Sequence, residues 1–189
     1  AGPMTSGERC GGSCDEECNG FGELRERATM NEQMFSETFE RLTGHRPMPW
    51  QLVLYREYFR VGLVPDQCDI PTGLGKTSVL AIWLIAWASG GSDTPAAKLP
   101  RRLAYVVNRR TVVDQTTSEA EALRDKVAEG VLPGLHDLSI STLRGQFADN
   151  RQWSADPFKP AIVCGTVDMI GSRLLFSGYR IGFKTRPMH

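Results

Sequence analysis

Pro71-Thr72-Gly73-Leu74-Gly75-Lys76-Thr77 is the stretch on which the reading of this chain turns. Its two glycines permit a tight turn whose backbone N–H groups point inward, a cradle for phosphate oxygens. Cys68-Asp69-Ile70 just upstream reads as a brief strand, and Ser78 to Ala88 downstream as an almost wholly apolar helix, the kind buried on all sides. A helix beginning there adds its positive end to the turn. In such an arrangement Lys76 reaches the β- and γ-phosphates of a nucleotide and the Thr77 hydroxyl ligates magnesium. The full phosphate-loop pattern asks for a glycine five residues before Gly75, where this chain has Ile70. A chance glycine-rich turn is the plain alternative; the strand before it and the helix after it speak for the phosphate reading.

Working outward, Met34, Phe35, Thr38, Phe39 and Leu42 recur at helical spacing, with Gly44 as a stop. Pro47 and Pro49 interrupt the chain, and Trp50, Val53, Leu54, Tyr58 and Val61 mark a second amphipathic helix. Beyond the glycine turn, 90–100 reads as a loop, Leu103 to Val107 as a strand and Thr111 to Ala128 as an amphipathic helix. Leu138 to Ser141 and Ala161 to Cys164 read as strands, separated by a polar loop over 145–160, and Val167 to Phe176 as a closing helix. Strand alternates with helix, which predicts an α/β fold: a parallel sheet with helices on both faces. Three regions follow: a flexible acidic leader or added segment over 1–30, a helical region over 31–66, and the nucleotide-binding domain over 67–189.

The composition, 41% hydrophobic and 23% charged, has the balance of a globular chain and argues against wholesale disorder. The longest apolar stretch, Val79 to Ala88, is too short to span a bilayer, and no secretory signal opens the chain. A net charge of zero conceals an asymmetry: residues 1–40 carry nine acids and three bases, leaving 13 acids and 19 bases in the remainder. A mildly basic body suits a nucleic-acid partner without requiring one, and a solvated surface explains it equally well. Five cysteines, an odd number with two in apolar runs, fit reduced thiols and a cytoplasmic location. Cys10, Cys14 and Cys18 repeat every four residues, which matches no tetrahedral zinc pattern. The opening Ala1-Gly2-Pro3-Met4 reads as an added scar, with Met30 as an internal start.

Two further segments lie at strand-to-helix junctions, where α/β proteins bind ligands. Val106-Val107-Asn108-Arg109-Arg110-Thr111 places two guanidinium groups and helix-start amides where a phosphodiester backbone is well held. Gly165-Thr166-Val167-Asp168 sets Thr166 as an N-cap or phosphate contact and Asp168 in the first helical turn. An ordinary exposed arginine pair and a simple helix cap are the plain alternatives. Thr142-Leu143-Arg144-Gly145-Gln146 follows the intervening strand in the same way.

The Pro-Thr-Gly-x-Gly-Lys-Thr form resembles the phosphate loop of superfamily 2 helicases, in which the early glycine is commonly replaced. That resemblance implies a RecA-like P-loop sheet, with Thr72, Gly73, Leu74, Gly75, Lys76 and Thr77 holding ATP and magnesium. It also makes Gln51, just after Pro49-Trp50, the Q-motif glutamine that reads the adenine edge, although a glutamine on a helix surface is the simpler alternative. Asn108, Arg109, Arg110, Arg144, Gly145, Thr166 and Asp168 become contacts to DNA. Between Pro47 and His189 the segments 68–77, 107–115 and 143–145, Trp153 with Asp156-Pro157, and 165–176 together look like the helicase–nuclease effector of type I CRISPR systems. Members of that family use ATP to move on single-stranded DNA marked by a CRISPR surveillance complex and cut it with an HD-type metal nuclease.

Three parts of such a machine are missing from the sequence. The metal-side motif is a hydrophobic strand ending in Asp-Glu, and the one adjacent Asp-Glu pair here is Asp15-Glu16. A second RecA-like domain with its arginine finger has no counterpart. The nuclease needs clustered His and Asp ligands, and the histidines are His45, His136 and His189. The expectation is therefore an incomplete motor domain, an N-terminal fragment that binds ATP and does not hydrolyse it alone and whose partners include the remainder of the helicase and nuclease. The alternative is a non-hydrolysing nucleotide-binding or interaction module. An unrelated P-loop enzyme such as a small-molecule kinase is disfavoured by the Arg-Arg and Gly-Thr-Val-Asp segments.

Overall fold

The computed structural model describes residues 32–90, 95–143, 156 and 158–175. The chain divides into two units, Ala1–Met34 and Phe35–His189. Of the first, residues 32–34 are described, as the opening turn of a helix, α1, that runs over 32–43. The expectations for the leader and its three cysteines lie outside the described residues, as do Arg144, Gly145 and Trp153.

In the second unit, Phe35, Phe39 and Leu42 of α1 are buried at helical spacing, and the helix stops where the Gly44 N–H donates to the Glu40 carbonyl. Helix α2, Pro49–Glu57, starts with proline at its first position, where the missing N–H costs nothing. It is shorter than its apolar pattern predicts. Gln51, Leu54 and Tyr55 face inward, whereas Val53, Tyr58 and Val61 are exposed; a single 3-10 turn, Phe59–Val61, completes the segment. The Phe35 and Tyr55 rings stack at 4.0 Å between centroids, joining α1 to α2.

Helix α3, Val79–Ser89, is buried over every residue from Leu80 to Ala86. Its hydrophobicity on all sides is satisfied because it runs through the core rather than along the surface. The Trp83 indole N–H donates to the Pro100 carbonyl at 3.1 Å, so its one polar group is paired.

The sheet has three parallel strands, β1 (Arg102–Val107), β2 (Ser139–Leu143) and β3 (Ala161–Thr166), in the order β1-β3-β2. Helix α4, Arg110–Ala128, packs on all three strands, and α5, Val167–Leu175, packs on β1 and β3. They take opposite faces, because side chains alternate along a strand. Thr142 of β2 and Cys164 of β3 are register partners, and both reach Thr117 of α4. Leu143 and Gly165 are the next pair, and it is Ile170 of α5 that lies over Gly165. A parallel sheet flanked by helices, as expected for an α/β chain, is thus observed.

A side chain at Gly165 has no room. An added Cβ would lie 2.9 Å from Ile170 Cγ1 and 3.0 Å from Leu143 Cβ, the latter fixed to the backbone of the adjacent strand. Gly165→Ala is expected to cost about 1–3 kcal/mol through overpacking, read as a lower urea midpoint at unchanged slope.

One expected element is absent. Cys68-Asp69-Ile70 forms no strand, and Cys68 and Asp69 are exposed. The five residues between Pro65 and Pro71 offer few N–H groups to a ladder, and Pro71 offers none.

Candidate phosphate-binding site

Without a strand behind it, the glycine turn is held from the side by α2. The Trp50 indole N–H donates to the Leu74 carbonyl at 3.2 Å. Gln51 is 4% exposed and uses both ends of its amide. Its Oε1 accepts from the Met48 N–H at 2.7 Å, capping the start of α2, and its Nε2 donates to Ser78 Oγ at 2.6 Å. Ser78 Oγ in turn donates to the Gly75 carbonyl at 2.6 Å. A chain of hydrogen bonds, buried at its Gln51 end and exposed at Gly75, therefore ties the first turn of α2 to the far side of the loop.

Gly73 and Gly75 have φ of 87° and 65°, the left-handed region that side-chain-bearing residues avoid. The chain then passes through a 3-10 turn, Lys76–Ser78, directly into α3. Lys76 is exposed and forms no salt bridge among the described residues.

Thr72, Gly73, Gly75, Lys76 and Thr77 line a cavity of about 870 Å3. Its other walls are the end of α1 with His45, Arg46 and Met48, the buried Gln51, Ser78 with the start of α3 at Leu80 and Ala81, and one face of α4. Val112, Gln115, Glu119, Ala122 and Leu123 recur at helical spacing and form that last wall. The cavity is large enough for a small-molecule ligand, with apolar walls at one side and polar groups converging at the loop. Burial raises the Glu119 carboxyl above its ordinary range, opposed by hydrogen bonds from the Gln115 side chain and the Thr77 hydroxyl.

Of the residues singled out in sequence, those from 72 to 77 lie together, and all but Leu74 line the cavity, as does Gln51. The Leu74 contribution is its carbonyl, taken by Trp50. The Arg-Arg segment leaves β1 as expected: Asn108, Arg109 and Arg110 are exposed, and α4 begins at Arg110. Thr166 ends β3 and is buried, while Asp168 is exposed in the first turn of α5. Because β1 and β3 are parallel, with Val107 opposite Thr166, both segments emerge at the same sheet edge. The first turns of α4 leave that edge and reach the cavity through Val112 and Gln115.

Sequence reasoning did not single out Ser78, Gln115 and Glu119, and saw Trp50 only as a core residue. Ser78 follows the glycine turn directly, a position from which a hydroxyl can bond back to the turn. Nothing in the sequence says which face of α4 the loop meets, so Gln115 and Glu119 carried no signal.

The residues present fit a triphosphate with a hard divalent cation. Lys76 and Arg46 are the positive side chains on the cavity wall, and the Thr77 hydroxyl and Glu119 carboxylate supply oxygen donors. Among the described residues no cluster of three or more His, Cys, Asp or Glu side chains forms a metal site of its own. The Cys164 thiol, buried beneath α4, is pushed up to about 11 by burial and is inert at neutral pH. No helix among the described residues is long and apolar enough to cross a membrane. In comparisons with known proteins, no protein family, curated protein or solved structure matches this chain.

Proposed function

We propose that this chain binds ATP through the loop 72–77 as part of a RecA-like motor domain of a CRISPR-associated DNA helicase. The observation that carries the nucleotide reading is the placement of Lys76 and Thr77. Both follow a two-glycine turn and line a cavity at the entrance to a helix buried from Leu80 to Ala86. Lys76 offers a point charge to the phosphates and Thr77 a hydroxyl to magnesium. Magnesium, when bound, neutralises charge between the phosphates. The loop is kept in shape by Gln51, Trp50 and Ser78, so phosphate binding needs little reorganisation. Gln51 has one amide hydrogen and one lone pair left for an adenine edge.

Single-stranded DNA is the proposed second ligand, on Asn108, Arg109, Arg110, Thr166 and Asp168 at the shared sheet edge, with Arg144 and Gly145 completing the track. The CRISPR surveillance complex and the remainder of a helicase and nuclease are the proposed partners, and the cytoplasm the proposed location. The non-hydrolysing nucleotide-binding or interaction module is the second reading, since the loop and its cavity account for binding alone.

ATP titrations with and without single-stranded DNA, alongside phosphate release, test the pair. Saturable ATP binding that DNA strengthens supports the motor reading; binding indifferent to DNA supports the module. If Arg109 and Arg110 hold phosphates, replacing both with alanine should reduce the slope of log affinity against log salt by up to about 1.4, roughly 0.7 for each phosphate contact on a single strand. An unchanged slope places the DNA contact elsewhere.

A further inference from the structure

Trp50 is outside the set of residues that line the cavity, yet its indole N–H reaches across 24 residues of sequence to the Leu74 carbonyl, 3.2 Å away. That bond fixes more than a carbonyl. A trans peptide is planar, and its C=O and N–H point to opposite sides; no described peptide is cis. With the Leu74 carbonyl turned to Trp50, the Gly75 N–H of the same peptide is turned away from α2. The next peptide is held in a similar way, since the Gly75 carbonyl accepts from both the Ser78 hydroxyl at 2.6 Å and the Ser78 N–H at 3.0 Å. The Lys76 N–H then points back out of the helical turn that it begins. Among the described residues the N–H groups of Gly75, Lys76 and Thr77 donate to no acceptor. Left-handed Gly75 ahead of a helical Lys76 is the alternation that gathers successive N–H groups into an anion-binding concavity.

This arrangement is easily lost. Turning over the 74–75 peptide changes only the Leu74 ψ and the Gly75 φ, and glycine accepts either sign of φ. The turned peptide would present the Leu74 carbonyl, with its partial negative charge, where the Gly75 N–H had been, and a phosphate oxygen would be repelled. Among the described residues the Trp50 indole is the one group that holds the Leu74 carbonyl. We propose that Trp50 is a positioning residue for phosphate binding, a latch that keeps the Leu74 carbonyl away from the ligand and the Gly75 N–H toward it. The proposal rests on the nucleotide reading above and deepens it: Trp50 acts on the polyphosphate through the peptide it holds, and not on the base. The plain alternative is a staple that fastens the loop to α2 and has no bearing on the ligand.

The test is calorimetry of the full chain with ATP and with inorganic tripolyphosphate, both in excess magnesium, for the parent and Trp50→Phe. Phenylalanine keeps an aromatic ring at the position and removes the N–H. Affinity for both ligands is expected to fall by the same factor, about 2- to 12-fold, the value of one neutral hydrogen bond. A staple alone would lower the melting midpoint and leave both affinities at the parent's values. The parent supplies a second measurement that needs no variant. If latch and ligand favour the same peptide orientation, linkage requires tripolyphosphate to slow solvent exchange of the Trp50 indole proton. Unchanged affinities in a folded variant, a loss confined to ATP, or indole exchange that tripolyphosphate does not slow would each overturn the role of Trp50 and leave the nucleotide reading standing. A parent that binds neither ligand overturns the nucleotide reading and this proposal with it.

Discussion

Replacing Lys76 with alanine is expected to lower ATP affinity by roughly 10- to 150-fold, the value of about 1.5–3 kcal/mol for a hydrogen bond to a charged group. The side chain stands exposed at the cavity, forms no salt bridge among the described residues, and begins the 3-10 turn ahead of α3. Its removal therefore takes a point charge from the phosphates without opening the core. The loop is shaped by its glycines and by the Gln51–Ser78–Gly75 chain, none of which the substitution touches. Thermal unfolding of the variant without nucleotide should match the parent, while nucleotide no longer raises its midpoint as it does the parent's. Equal affinities in calorimetry contradict the assignment.

Trp83→Ala is expected to be the most damaging single change to the fold. The side chain is 2% exposed at the centre of α3, where every residue from Leu80 to Ala86 is buried. Truncating a buried tryptophan costs about 3–5 kcal/mol in lost burial and residual cavity. It also strips the Pro100 carbonyl of its partner, 3.1 Å from the indole nitrogen, and removes the ring that stacks on Trp87. Against a total stability of about 5–15 kcal/mol, the loss is a large fraction. The melting midpoint should fall by about 6–20 °C. A fall of less than about 3 °C contradicts a central role for α3 in the core. Trp83→Phe keeps most of the volume and separates the packing contribution from that of the hydrogen bond.

The apolar run from Val79 to Ala88 was legible because burial on every side leaves no periodicity to misjudge. The two long amphipathic helices and the three β-rich strands were legible from their spacing, with ends shifted by one or two residues. The Cys68-Asp69-Ile70 segment was misread for a physical reason. The segment was read as a strand from its own residues, whereas strand pairing is a property of two segments and not of one, and here no second segment pairs with it among the described residues. The exposed Val53, Tyr58 and Val61 show the same limit on α2, where Gln51 takes an inward position because it caps the helix and reaches Ser78. Glu119 was invisible because its chemistry depends on the rotation of α4 about its own axis, which no local pattern encodes.

The most direct test of phosphate binding by this chain is an amide chemical-shift titration of the isotopically labelled protein with magnesium ATP. Saturable shifts are expected at Gly73, Leu74, Gly75, Lys76 and Thr77 and at the Trp50 indole, whose N–H holds the Leu74 carbonyl. Absence of saturable shifts, or shifts confined to residues far from the loop, would contradict it.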